Sequence, residues 1–219
     1  MAKKKALKLN QESIISLYID YVLTKGQPPH SVYEFAKINE FDEAVFYQFF
    51  ASFQKLEAQF LSNMFDYTLE VIDKSADYKA YDAAQKLSCF YFTFFEIATA
   101  NRSFVTYLLK SERLPLQNLM KLKQLRVNFL EFTKSILDVP IKIENEQFAN
   151  LQSKAVNEGA WLQFMSIIKF WLDDHSANFE KTDIYIEKVV KLSFDLIYNV
   201  PLDSVLDFGK FIWKEKVGK

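Results

Sequence analysis

Glycine and proline are scarce in this chain, at 4 and 5 of 219 residues. Sheet proteins need turns rich in both every ten residues or so, and that supply is missing. The expected fold class is therefore all-α, with long helices and few breaks. Cysteine occurs once, at Cys89, so no intramolecular disulfide can form and a reducing compartment fits. Histidine occurs twice, at His30 and His175, in separate regions. No His/Cys/Asp cluster has ligand spacing, and no Gly-rich loop is present to cradle a phosphate. No metal, cofactor or catalytic residue is expected. Asp173-Asp174-His175 reads as a solvated helix end, and Cys89 as a buried, inert thiol in an aromatic run. Excess positive charge is missing too, since the formal net charge is −1. Nucleic-acid binders often carry a basic excess, although a small basic patch can be diluted by a large neutral domain. No apolar run approaches the ~20 residues of a membrane span. The basic start leads into an amphipathic segment, not an apolar signal region. A cytoplasmic protein with no membrane span is expected.

Apolar and aromatic side chains are abundant. Half of the residues are hydrophobic, with 22 Phe, 11 Tyr and 3 Trp. That is enough for one or two small domains with a real core.

Residues 31–56 organise the rest. Val32, Phe35, Ala36 and Ile38 repeat at helical spacing behind the capping type Ser31. A polar break, Asn39-Glu40, precedes Phe41 and a second cap, Asp42. Ala44, Val45, Phe46, Phe49 and Phe50 give the next helix its apolar face. Ser52 caps a third helix opening at Phe53. Two helices of about two turns joined by a 3–4-residue turn form a helix-turn-helix.

Upstream, residues 1–9 read as a basic tail carrying Lys3, Lys4, Lys5 and Lys8: a solvated terminus, or an arm along DNA phosphates. A first helix runs from about Gln11 to Lys25 and stops at Gly26. Downstream, a long helix spans about Phe53 to Asp73. Residues 87–100 are apolar all round and read as a helix buried all round at the centre of a bundle. Further helices are expected over 102–110, 116–137 and 144–175. Gly159 inside the last marks a close approach or a break. Thr182 and Asp183 cap a helix over 184–199, and Pro201 opens a final one through Lys214. The domains expected are 10–56 and 57–219, divided near Leu56.

The pattern in residues 10–61 resembles the TetR family of bacterial transcriptional regulators. The matching positions are Gly26, Ser31-Val32, Phe35-Ala36 and Tyr47-Gln48-Phe49-Phe50-Ala51-Ser52 with Leu56. Further on, a helix with Trp161, Phe164, Ile168 and Trp171-Leu172-Asp173, then a loop and a last apolar helix, is similar to the family's C-terminal domain. The resemblance implies a TetR-like all-α fold, with a homeodomain-like helix-turn-helix unit followed by a ligand-binding and dimerisation bundle. It also implies a homodimer that binds operator DNA and is controlled by a small apolar ligand.

The DNA-facing set so implied is Lys3, Lys4, Lys5, Ser31, Lys37, Asp42, Glu43, Ala44, Tyr47, Gln48 and Lys55. The expected ligand pocket is Phe90, Tyr91, Phe94, Glu96, Phe104, Tyr107 and Trp161, with Phe92 and Phe95 beside them; the bland alternative is core packing. The expected dimer interface is Phe164, Ile168, Trp171, Phe194, Ile197 and Tyr198, with Phe170 as a further candidate; the alternative is that Leu202 to Trp213 of the same chain cover this apolar surface.

The chain departs from the family pattern in charge. Glu40 or Asn39 stands where the turn usually has Gly. Asp42 and Glu43 open the recognition helix, Gln48 and Phe49 replace a basic residue and a His, and Phe53 replaces a Lys. Over residues 31–62, Lys37 and Lys55 face Glu34, Glu40, Asp42, Glu43 and Glu57, a net of −3 on the expected phosphate-facing surface. Asp and Glu can accept from cytosine N4, or can simply cap the helix and complement its dipole. A second reading therefore keeps the fold without DNA binding. It is a binder of a hydrophobic molecule, lipid or protein partner, similar to the lipid-binding ubiquinone-biosynthesis proteins of this fold.

Overall fold

The computed structural model describes residues 9–110, 115–137 and 146–199. The basic tail through Lys8, including Lys3, Lys4 and Lys5, and the last expected helix lie outside the described residues. Those described form nine α-helices and no strand: α1 (Gln11–Lys25), α2 (Val32–Ile38), α3 (Glu43–Phe49), α4 (Phe53–Asp73), α5 (Ala83–Ala100), α6 (Arg102–Lys110), α7 (Pro115–Ile136), α8 (Glu146–Asp173) and α9 (Glu180–Asn199).

Local chemistry sets the helix starts. Asn10 and Ser13 make a reciprocal capping box on α1, and Asp82 and Gln85 make another on α5. Ser31, Asp42 and Ser52 each accept a backbone N–H from the first turn they cap. Gly26 ends α1 at φ 71, where its N–H reaches the Val22 carbonyl. The Asp82 cap explains why α5 begins four residues before its apolar run.

Two helices differ from expectation at their ends or interior. The helix after the α8 corner starts at Glu180, so Thr182 and Asp183 lie inside its first turn. The cap comes instead from Asp174, whose carboxylate accepts the Thr182 N–H at 2.9 Å. Gly159 neither breaks α8 nor marks a close approach: it lies exposed in an unbroken helix, and no atom would meet an added Cβ within 4 Å.

The N-terminal unit closes around Phe35. Its ring meets Tyr18, Tyr21, Phe41, Phe46 and Phe53 edge-on, and Tyr18 stacks on Phe53 with centroids 5.0 Å apart. Phe53, a departure from the family pattern, thus serves this core. Ile38, Ala44 and Phe49, expected on apolar inner faces, are exposed, because two-turn helices bury only the stripe through Phe35, Ala36, Phe46 and Phe50.

Helix α4 leaves this unit and packs against α5 and α7, with α9 beyond α5 and α8 between α7 and α9. One apolar cluster runs continuously from Ile14 in α1 to Val190 in α9. Helix α5 is not buried all round. Phe90, Tyr91, Phe94, Phe95 and Ala98 face inward, while Glu96 and Ala100 are exposed.

Candidate functional site

Helix α3 presents Ala44, Tyr47 and Gln48 to solvent, at a spacing of three and four residues along one face. Ser31, Lys37, Asp42 and Lys55 are exposed as well, and Glu43 is half-buried. Ser31 and Asp42 are occupied as N-caps, and the Lys37 ammonium lies 5.8 Å from the Tyr33 ring. The turn places Glu40 at φ 57, the left-handed position that suits glycine; the break in the family pattern therefore falls on Glu40, not Asn39. Helices α2 and α3 together expose four large apolar residues, Tyr33, Ile38, Tyr47 and Phe49.

Glu57 does not belong to that surface. It is 5% exposed, on the same α4 stripe as Leu61, Met64 and Thr68. The surface charge over residues 31–62 is therefore −2 rather than −3, since one of the five acids is removed. Its carboxylate accepts the Tyr18 hydroxyl at 2.7 Å and pairs with the Lys121 ammonium at 2.7 Å. Burial first, and the neighbouring Glu57 charge second, push the Tyr18 phenol far above its ordinary value. One buried carboxylate thus ties α1 of the N-terminal unit to α7 of the bundle. Glu57 counts among the surface acids when residues 31–62 are read by charge alone; its helical spacing from Leu61 and Met64 is the signal in the sequence that it is buried instead.

The residues expected to line a ligand pocket fall into three places. Phe90, Tyr91, Phe94 and Trp161 gather around Phe164. Phe104 packs instead on Tyr18, Phe60 and Tyr107 at the junction of the two units. Glu96 stands on the exposed side of α5. The void beside Phe94 and Trp171 holds about 10 Å³, room for one water at most. Two buried polar atoms among the described residues have no hydrogen-bond partner, the Tyr91 hydroxyl and the Gln163 amide nitrogen. Cys89 is half-buried, and burial pushes its thiol above the ordinary range while a Thr93 hydrogen bond partly opposes this. It is a poor nucleophile there.

Three residues expected at a dimer interface are taken up by the chain's own core: Phe164, Ile168 and Trp171 are 0, 7 and 1% exposed. Phe170, Phe194 and Ile197 are half-buried, and the Tyr198 side chain lies outside the described residues. The large apolar side chains exposed on α8 and α9 are Leu162, Ile184, Leu192 and Leu196.

The α8–α9 corner carries a dense polar network among the described residues. Asp174 is 5% exposed and accepts from the N–H and hydroxyl of both Ser176 and Thr182. Burial acts to raise its pKa, but these four bonds outweigh it and hold the carboxyl at about 2. The Arg102 guanidinium donates to the carbonyls of Trp171, Leu172 and Asp174, closing the end of α8. It lies 4.4 Å from the Trp171 ring and 4.3 Å from the Phe179 ring. A groove of about 490 Å³, which Lys169, Phe170, His175 and Tyr185 help to line, opens on one side of the corner. Another, of about 250 Å³, runs between the corner and α5.

A family model described as a tetracyclin repressor-like C-terminal domain matches residues 86–212. That span begins in α5, includes the Phe164 core and the Asp174 corner, and covers more than half of the chain. A comparison with curated proteins gives no match. The all-helical bundle, with a helix-turn-helix at its N-terminal end, accords with the matched family. The chain belongs to the TetR family, a family of regulators rather than enzymes.

Proposed function

We propose that this chain is a cytoplasmic, homodimeric transcriptional regulator. It reads operator DNA through α3 and is controlled by a small apolar molecule in its C-terminal domain. The observation that carries this reading is the way α3 is held. Phe46 and Phe50 anchor it to the Phe35 cluster, leaving Ala44, Tyr47 and Gln48 free to enter a major groove. Lys37 and Lys55 flank it, and the lysines of the tail supply further phosphate contacts. In a symmetric dimer the two copies of α3 would meet half-sites about one helical turn apart, roughly 34–36 Å. The ligand acts by binding one dimer conformation better than the other. The Tyr91 hydroxyl supplies an unused polar contact for it inside the bundle. Selection from random DNA at low and at physiological salt tests this. Recovery of a palindromic sequence whose affinity falls steeply with salt is expected; no enriched sequence at either salt overturns it.

A second reading has its own observation. The exposed Tyr33, Ile38, Tyr47 and Phe49, with Glu40 and Asp42 beside them, form an apolar and acidic surface unlike a phosphate-binding one. On this reading the fold is kept, DNA binding is lost, and the chain binds a lipid or a protein partner. Lipid co-purifying with the chain, detected by mass spectrometry, together with failure of the DNA selection, would favour it.

A further inference from the structure

We propose that the groove between α5 and the α8–α9 corner is a binding site for a small amphipathic organic cation: an ammonium group on a compact apolar body. Its apolar walls are Phe92, Phe95, Trp171 and Phe179, and Glu96 and Asp183 stand at its rim. The volume is about 250 Å³, just below the range of drug-sized sites, so the ligand is small.

The sign of the charge follows from the rim. Among the described residues no salt bridge reaches Glu96 or Asp183. Asp183 also feels the carboxylates of Glu187, Asp174 and Glu180, and its own carboxyl is pushed up, by desolvation first and by these neighbours next. A bound cation relieves that repulsion, and an anion adds to it. The Arg102 guanidinium, which packs on the Trp171 and Phe179 rings, is committed to three carbonyls at the end of α8 and does not line the groove.

The walls choose an organic cation over a metal ion. The Thr99 and Thr182 hydroxyls are already bonded within the chain, so two carboxylates and the Asn178 amide remain in the lining, too few oxygen donors for a hard divalent ion, and no cluster of three metal-ligand side chains occurs among the described residues. Aromatic faces attract ammonium groups, and this corner already holds one cation that way: the Arg102 guanidinium against Trp171 and Phe179. Phe179 is held in place by an unusual backbone. Asn178 and Phe179 both have positive φ, at 50° and 60°, and the Phe179 N–H donates to the Ser176 carbonyl. The Trp171 indole is pinned by its bond to the Thr99 hydroxyl at 3.0 Å. The rings are therefore positioned before any ligand arrives.

Titration of the full chain with benzyltrimethylammonium, benzyl alcohol and benzoate tests the site, read by calorimetry and by tryptophan fluorescence. Benzyltrimethylammonium is expected to saturate one site, the neutral alcohol to bind at least tenfold more weakly, and benzoate not to bind. Glu96 and Asp183 are exposed, so an E96Q/D183N variant is expected to fold with an unchanged melting curve and to lose tenfold or more in affinity for the cation. D20N, an exposed position on α1 in the N-terminal unit, should change that affinity by less than twofold. The proposal is overturned if the alcohol binds as tightly as the cation, if E96Q/D183N keeps its affinity, or if no saturation is reached. No DNA is present in this titration, so its outcome is independent of whether the chain reads an operator.

Discussion

At the residue scale the chain places its few buried charges where they join elements. Glu57 and Lys121 form an ion pair with side chains 6% and 12% exposed, and Tyr18 completes the carboxylate's hydrogen bonding. Removing one partner of a buried pair leaves the other charge stranded, at about 3–5 kcal/mol, whereas replacing both with apolar groups is often near neutral. Lys121→Met is therefore expected to lose at least about 3 kcal/mol in urea denaturation, and Glu57→Leu/Lys121→Met to recover most of it. Equal losses in the single and double variants would mean that the pair is not coupled. Asp174 is the second case. Its folded-state value of about 2 lies below the ordinary value of about 3.9 for an unfolded Asp. Its stabilisation is therefore fully present above pH ~4 and is lost as pH falls through ~2. Asp174→Ala is expected to cost about 2 kcal/mol at pH 7, with the gap from the parent chain closing between about pH 4 and 2. A gap that stays constant down to pH 2 would show that the carboxylate's charge is not what holds the corner.

At the element scale, capping and φ decide where helices end, and two glycines show the opposite consequences of one residue type. Gly26 closes α1 at φ 71, a conformation that costs an L-residue about 1–2 kcal/mol. Gly159 lies in the interior of α8, exposed and with open space around it. Gly26→Ala is expected to destabilise by about 1 kcal/mol, and Gly159→Ala to stabilise by about 0.5–1 kcal/mol. Thermal melts of the two variants should move in opposite directions. The same local chemistry was visible in the sequence at Ser31, Asp42 and Ser52, so the starts of α2 to α4 were readable. The start of α9 was not, because its cap, Asp174, is a side chain six residues upstream of the helix, held under α9 by a turn.

At the scale of the whole molecule, α8 and α9 leave four large apolar side chains exposed among the described residues. Leu162, Ile184, Leu192 and Leu196 are 67, 50, 58 and 51% exposed. A symmetric partner is the commonest way to cover such a surface. Leu192→Glu/Leu196→Glu is expected to turn a dimer into a monomer in analytical ultracentrifugation while keeping helical content. A dimer that survives both substitutions places the interface elsewhere. Phe164, Ile168 and Trp171, expected at such an interface, lie in the chain's own core, because periodicity identifies an apolar face and not what covers it. In this chain α5 and α7 reach those residues first, as the rings of Phe95 and Phe129 show.

By itself the sequence determined the all-helical class, the helix-turn-helix near residues 31–50 and the family. Scarce Gly and Pro, local caps and the spacing of aromatic residues all act within a few residues along the chain. Tertiary structure alone decided which acids are surface charge and which are buried pairs. It also decided which of the rings meant for a pocket are packed core, and that Glu96, 87 residues away in sequence, shares a groove with Asp183. Burial and pairing are properties of side chains brought together from different helices. A linear pattern records which side chains want to be covered, and only the packed bundle settles what covers them.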